Sequence, residues 1–208
     1  MYDNDVLLWG LFKQGDWNAY TELYNQYFKL LNNYGYKFTR DTNIIEDAVH
    51  DLFIKLWTNR GQLSTPVSVK HYLYKSLRNI IFRKIQSQSR FVDFDNEEYP
   101  FNFEISFDNT YIANEEEQIL QTQIKNVLQT LPARQQEIIY LRFYEGISYE
   151  EIAEIMSINV TSAYKLLYKA LNSLQVTLKT PKIIVMLAII TYFKDNLEVN
   201  RLFFEMKG

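Results

Sequence analysis

Ser148-Tyr149-Glu150-Glu151-Ile152-Ala153-Glu154-Ile155-Met156 is followed by Ser157-Ile158-Asn159-Val160 and then by Thr161-Ser162-Ala163-Tyr164-Lys165-Leu166-Leu167-Tyr168-Lys169-Ala170-Leu171-Asn172. The first block opens with a capping box, Ser148 with Glu151 three residues on, and turns Ile152, Ala153, Ile155 and Met156 inward. The four residues after it make a tight connection, with Asn159 as cap of the next helix. The third block puts Ala163, Leu166, Leu167, Ala170, Leu171 and Leu174 on one helical face. A short helix, a tight turn and a longer helix, with small Ala153 where the two must approach, is the helix-turn-helix pattern. Its second helix leaves Thr161, Ser162, Tyr164, Lys165, Tyr168, Lys169 and Asn172 free. From Thr161 to Thr180 there are three Lys and no acid. Hydroxyls and amides at the start of a helix suit base edges and the lysines suit phosphates, so DNA binding is one reading. An ordinary helical hairpin is the other.

Working outward, every periodic segment reads as helix, and the fold expected is all-α. Upstream, Glu115 to Thr130 carries Ile119, Leu120, Ile124, Val127 and Leu128. Pro132 suits a helix first turn, and Ala133 to Glu145 buries Ile138, Ile139 and Leu141 before Gly146 ends it. In the N-terminal half a first helix runs from about Asp5 to Gln14, with Gly15 just past its end. Asp16 caps a second with Ala19, Tyr20, Leu23, Tyr24, Tyr27, Phe28 and Leu31 in period. Asn43 and Glu46 have capping-box spacing for a third, whose stripe is Ile44, Ile45, Ala48, Val49, Leu52, Phe53, Leu56 and Trp57. After a loop holding Gly61 and Pro66, Ser68 caps a fourth to about Gln88. It buries Leu73, Leu77, Ile80, Ile81 and the stem of Lys84, while Lys75, Arg78 and Phe82 face elsewhere. Short loops between these helices predict a bundle.

Charge and composition narrow the function classes. The chain has 208 residues, a net charge of −3 and no Cys. Disulfides, thiolate zinc sites and a cysteine nucleophile are excluded. Met1 to Asp5 is acidic where a signal peptide would be basic, so a cytoplasmic protein is expected. The small net charge hides segregation. Six basic residues and no acidic ones lie between Pro66 and Arg90; nine acidic ones and no Lys or Arg lie between Phe91 and Gln118. The acidic stretch is rich in rings (Phe91, Phe94, Tyr99, Phe101, Phe103, Phe107, Tyr111), and an extended linker that docks them on a partner or on its neighbouring domains is expected. His50 and His71, read as surface residues, make no usual metal site. No Gly-rich phosphate loop or placed carboxylate pair exists. No catalytic residue, cofactor, metal or small-molecule substrate is expected.

At this level the chain resembles a family. Leu131-Pro132-Ala133-Arg134-Gln135-Gln136-Glu137-Ile138 with Leu141 to Ala153 looks like the C-terminal promoter-reading domain of extracytoplasmic-function sigma factors, members of the sigma-70 family. Gly15-Asp16-Trp17-Asn18-Ala19-Tyr20, Glu46-Asp47-Ala48-Val49-His50-Asp51-Leu52-Phe53 with Trp57, and Tyr72-Leu73-Tyr74-Lys75-Ser76-Leu77-Arg78-Asn79 resemble their other conserved domain. The stretch Asn159-Val160-Thr161-Ser162 before Tyr164-Lys165-Leu166-Leu167-Tyr168-Lys169 looks most like members from Bacteroidetes-type bacteria. The resemblance implies an N-terminal bundle over 1–88, an acidic aromatic linker over 89–114, a helix-turn-helix domain over 115–178 and an apolar extension over 179–208.

It also implies partners and sites. The third helix would meet the β′ coiled coil of core RNA polymerase through Asp47, His50, Asp51, Ile54 and Lys55, with the β flap a second contact on the enzyme. The fourth would meet the −10 element through Lys70, Lys75, Arg78, Asn79 and Arg83, with rings from Tyr72, Tyr74 and Phe82, although Tyr72 reads better as core. The loop Asn59 to Val67 would hold a flipped base. Arg134, Thr161, Ser162, Tyr164, Lys165 and Lys169 would read the −35 element. Family members commonly carry Arg or Lys where Tyr164 and Leu166 stand, and Arg where Gln136 stands; fewer cations imply weaker −35 binding. An anti-sigma factor is a further implied partner. The function implied is an alternative sigma factor directing promoter recognition, −10 melting and initiation. A free-standing helix-turn-helix regulator and a sigma-like interaction module are the alternatives. The apolar run Ile183 to Phe193 reads as an extra packed helix, or as a docking, autoinhibitory or interfacial segment.

Overall fold

The computed structural model describes residues 2–88, 99–102 and 115–178. All regular structure among them is helical: α1 (Tyr2–Lys13), α2 (Trp17–Gly35), α3 (Thr42–Asn59), α4 (Val69–Gln88), α5 (Glu115–Thr130), α6 (Ala133–Ile139), α7 (Tyr149–Ile155) and α8 (Val160–Leu178). The chain divides into two compact units, one ending at Pro100 and the next beginning at Phe101. The extension 179–208 and its apolar run lie outside the described residues, as does most of the linker.

In the first unit, local chemistry sets the helix ends. Gly15 takes φ +93, a left-handed geometry that stops α1. Asp16 then accepts from the Ala19 amide at 3.0 Å and starts α2. The cap of α3 differs from the expected Asn43 box. Asp41 accepts from the amides of Asn43 and Ile44, and the helix begins at Thr42. Asp caps as well as Asn does, and its side chain two residues earlier reaches the open amides at the helix start. The expected stripe of α3 is buried from Ile44 to Leu56, while Trp57 is half-buried.

α3 packs most extensively on α4, and α1 on α2. Leu31, Ile45, Ala48, Val49, Leu77 and Ile81 are wholly removed from water, and each larger aliphatic side chain contributes about 1.5–3 kcal/mol. Gly35 closes this core: a Cβ there would lie 2.7 Å from Cγ2 of Ile45 and 3.3 Å from Cδ1 of Ile81. Tyr74, expected to offer its ring outward, is core instead, stacked on Tyr34 with centroids 4.6 Å apart. Trp9 is buried as well, and its Nε1 donates to the Ser64 carbonyl at 3.1 Å, tying the loop before α4 to the first helix.

The second unit is built around α8, against which α5, α6 and α7 all pack. Ile138, Ile139, Leu141, Ile152, Ile155, Ala163, Ala170 and Leu174 form its core. Gln136 is buried and donates to the Leu131 carbonyl at 2.8 Å, satisfying the end of α5. Its side-chain amide is therefore engaged inside the unit. The single helix expected over Ala133 to Glu145 is instead α6 followed by a π-helical turn, Tyr140–Tyr144. Gly146, at φ +70, ends that turn. The capping box at Ser148 is complete: the Glu151 amide donates to Ser148 Oγ, and the Ser148 amide to the Glu151 carboxylate.

Candidate nucleic-acid interface

The tight connection between α7 and α8 is made by Ser157 in left-handed geometry, φ +55. Asn159 then accepts from the Ser162 amide at 2.7 Å, so its side chain starts α8 as expected. With Ala163, Leu167, Ala170 and Leu174 turned to the core, the opposite face carries Thr161, Tyr164, Lys165, Tyr168 and Lys169, all exposed. Ser162 is half-buried beside them. Arg134 stands apart on α6, partly buried, and its Nε has no hydrogen-bond acceptor among the described residues. Tyr164 is 49% exposed, but its ring stacks on Tyr149 of α7 with centroids 3.9 Å apart.

In the first unit a cleft of about 210 Å³ opens where α3, the following loop and α4 meet. Tyr72, Ser76, Asn79 and Arg83 supply one wall; their spacing of four, three and four places them on one stripe of α4. Asn59 and Leu63 supply the loop side, and Lys55 lies at the α3 side. Two of the five residues expected at the −10 element, Asn79 and Arg83, are thus brought together with the loop expected to hold a base. Lys70 is not in this wall; its ammonium lies 5.5 Å from the Tyr74 ring centroid. Lys75 is half-buried one residue off the stripe.

Arg78 corrects the expectation most clearly. It is 3% exposed, with its guanidinium 4.3 Å from the Phe82 ring centroid and 4.9 Å from that of Tyr99. Phe82 in turn packs on Phe38 and Tyr99. The cation is spent inside the first unit, held by ring faces, and Phe82 is a packing ring. Tyr99 and Phe101, two linker rings within the described residues, are both buried, the former in the first unit and the latter against Tyr140 in the second.

The outer side of α3 carries Asp47, His50, Ile54 and Lys55, all exposed, and half-buried Asp51. Ile54 is 60% exposed. Asp51 pairs with Lys84 of α4 at 2.8 Å. His50 Nε2 lies 3.2 Å from the Tyr24 hydroxyl, and its ring is parallel to the tyrosine's. Burial, then the negative charge of Glu46, raises the Tyr24 pKa, so the phenol stays protonated. His71, expected at the surface, is buried. Ser76, Leu63 and the Tyr149 stack were not expected. Ser76 was within reach of helical spacing from Tyr72 and Asn79, whereas the stack joins two helices across a turn.

Two helical units, one with a polar outer helix beside a loop-and-helix cleft, the other a helix-turn-helix with an exposed second helix, define a DNA-binding transcription protein. Comparison with known proteins names the family. Sigma-70 region 2 matches residues 23–91, and Sigma-70, region 4 matches residues 121–174. The chain belongs to the sigma-70 family of RNA polymerase sigma factors, in the extracytoplasmic-function subfamily. It is 27% identical over 132 residues to the RNA polymerase sigma factor SigV of Bacillus subtilis (strain 168), covering 64% of this chain and 74% of that one. It is 26% identical over 154 residues to the RNA polymerase sigma factor YlaC of the same organism, covering 72% and 86%. Among solved structures, CnrH in complex with the cytosolic domain of CnrY has a similar fold, with a TM-score of 0.55 at 16% identity, over 84% of this chain and 97% of that one. So does the sigma factor RpoE in complex with the anti-sigma factor NepR from Bartonella quintana, with a TM-score of 0.54 at 22% identity, over 76% and 96%.

Proposed function

We propose that this sigma factor divides its work among three faces. The outer side of α3, through Asp47, His50, Asp51, Ile54 and Lys55, docks on the β′ coiled coil of core RNA polymerase. The cleft lined by Asn59, Leu63, Tyr72, Ser76, Asn79 and Arg83 receives an unstacked base of the −10 element. The exposed row of α8, with Arg134 from α6, reads the −35 element. The observation that supports this most directly is the cleft. It is large enough for a planar group, walled by an aromatic ring and two amides, and edged by the cations Lys55 and Arg83. Stacking and amide edges are what single-stranded bases need, and cations follow the backbone. Lys70 and Lys75, on the same helix, extend the positive track.

Sigma factors as a class are not enzymes, and in this reading the chain catalyses nothing itself. It lends core polymerase a start site and acts in the cytoplasm; no described helix is long and apolar enough to cross a membrane. An anti-sigma factor is proposed as a regulator, supported by the similar fold of RpoE, solved with the anti-sigma factor NepR.

In vitro transcription with sigma-free core polymerase on genomic DNA tests the whole reading: site-selective transcripts are expected, and none with no association would overturn it. Asn79→Ala with Arg83→Ala should cut open-complex formation about tenfold or more, because each lost base or phosphate contact carries about 1–3 kcal/mol. The same double variant should still co-purify with core polymerase, whereas Asp51→Lys with Ile54→Lys should not. Equal loss of both properties in the cleft variant would remove the proposed division.

A further inference from the structure

Tyr164 belongs to the exposed row of α8, yet its ring is held from behind. It stacks on Tyr149, the first residue of α7, with the ring planes inclined by 26°. Tyr149 is itself fixed. The Arg142 guanidinium lies over its ring, 4.8 Å from the centroid. Nη1 of that arginine donates to the Ile147 carbonyl at 2.9 Å, the carbonyl just before the α7 cap. The Ser148 and Glu151 box secures the backbone from which Tyr149 projects. A line of contacts therefore runs from the π-turn through Arg142 and Tyr149 to a ring on the outward face of α8.

Such a ring arrives at DNA already ordered. A tyrosine free on a helix surface must give up rotamers on binding; one stacked in advance gives up few. Its chemistry sets which bases it can distinguish. Arginine and lysine read bases through donors, asparagine and glutamine through a donor and an acceptor together, and a phenyl ring has neither. The phenol hydroxyl both donates and accepts, so by itself it separates bases poorly. The apolar ring edge has one target among the four base pairs in the major groove, the C5-methyl group of thymine.

We propose that Tyr164 contacts a thymine methyl group in the major groove and that Tyr149 is the positioning residue that sets this preference. The inference rests on the reading of α8 as the −35 helix. The test uses the full chain with core polymerase on a promoter that the holoenzyme selects. Each −35 thymine is replaced singly by deoxyuridine, which lacks only the methyl group. At one position wild-type affinity should fall about fourfold, the worth of one buried methyl.

Tyr164→Ala should bind the thymine and uracil templates equally. Tyr149→Ala should lose the same discrimination, while Tyr149→Phe, which keeps the ring, should retain it. A misfolded second unit would erase every −35 preference, so Tyr149→Ala must also keep its response to base-pair changes at the other −35 positions; loss of the methyl discrimination alone reports positioning. Methyl-insensitivity at every −35 thymine, a selected −35 element without thymine, or full discrimination in Tyr149→Ala would overturn the proposal. If the holoenzyme selects no promoter at all, the sigma-factor reading fails and this inference falls with it. If it selects promoters but is blind to the methyl, this inference alone fails.

Discussion

Arg78 shows how a single side chain can change role when its surroundings are known. In the sequence it stands in a run of six basic residues without an acid, and a phosphate contact is the natural expectation. Its guanidinium instead lies against Phe82, one turn along the same helix, and Tyr99, 21 residues downstream. Spacing could have suggested the first partner but not the second, because nothing local marks where a linker ring will settle. Arg78→Ala should therefore cost about 2 kcal/mol in urea denaturation, from the lost cation–ring contacts in a desolvated site. Arg78→Lys should recover little of it, since an ammonium lacks the flat surface that lies on a ring. Tyr144 gives a second prediction. Burial and then the neighbouring Glu145 raise its pKa. The unfolded chain thus loses this proton first, near pH 10. Stability should be at its full value below that pH and fall as pH rises toward the folded pKa. Tyr144→Phe should flatten that part of the curve in a pH series of thermal melts.

At the scale of elements, helix existence and most ends were legible because caps are local chemistry. Asp16, Ser68, Ser148 and Asn159 all stand where their short polar side chains serve open amides. The start of α3 was misplaced because Asn43 and Asp41 are both good caps and the choice depends on the chain's entry from α2. The π-helical turn was not legible either, since Tyr140, Leu141, Phe143 and Tyr144 satisfy helical period whether or not one residue is added. Removing a cap tests the local account: Ser148→Ala should destabilise the second unit by about 1 kcal/mol. Crowding tests the packing account. Gly35→Ala pushes a methyl into the branched, stiff Cγ2 of Ile45, and a loss of about 1–3 kcal/mol is expected. Circular dichroism of both variants should still show native helix content at room temperature.

Over the whole molecule the two cores make a separate claim. Each unit has its own buried set, so calorimetry should resolve two transitions, and distant changes should act one on each. Gly35→Ala should lower only the transition of the first unit and Ser148→Ala only that of the second; a single transition shifted by both would contradict the division. Of the candidate faces, the α8 row was legible because binary pattern sorts inside from outside. The cleft was half legible: Asn79 and Arg83 were expected there, but Ser76 and Leu63 emerge only when the loop folds back on α4. The crowding at position 35 reaches beyond that residue. Leucine has no Cγ2, so Ile45→Leu removes the atom nearest to a Cβ at 35. Gly35→Ala should therefore cost less in the Ile45→Leu background than in the wild type, a coupling that a double-mutant cycle would read.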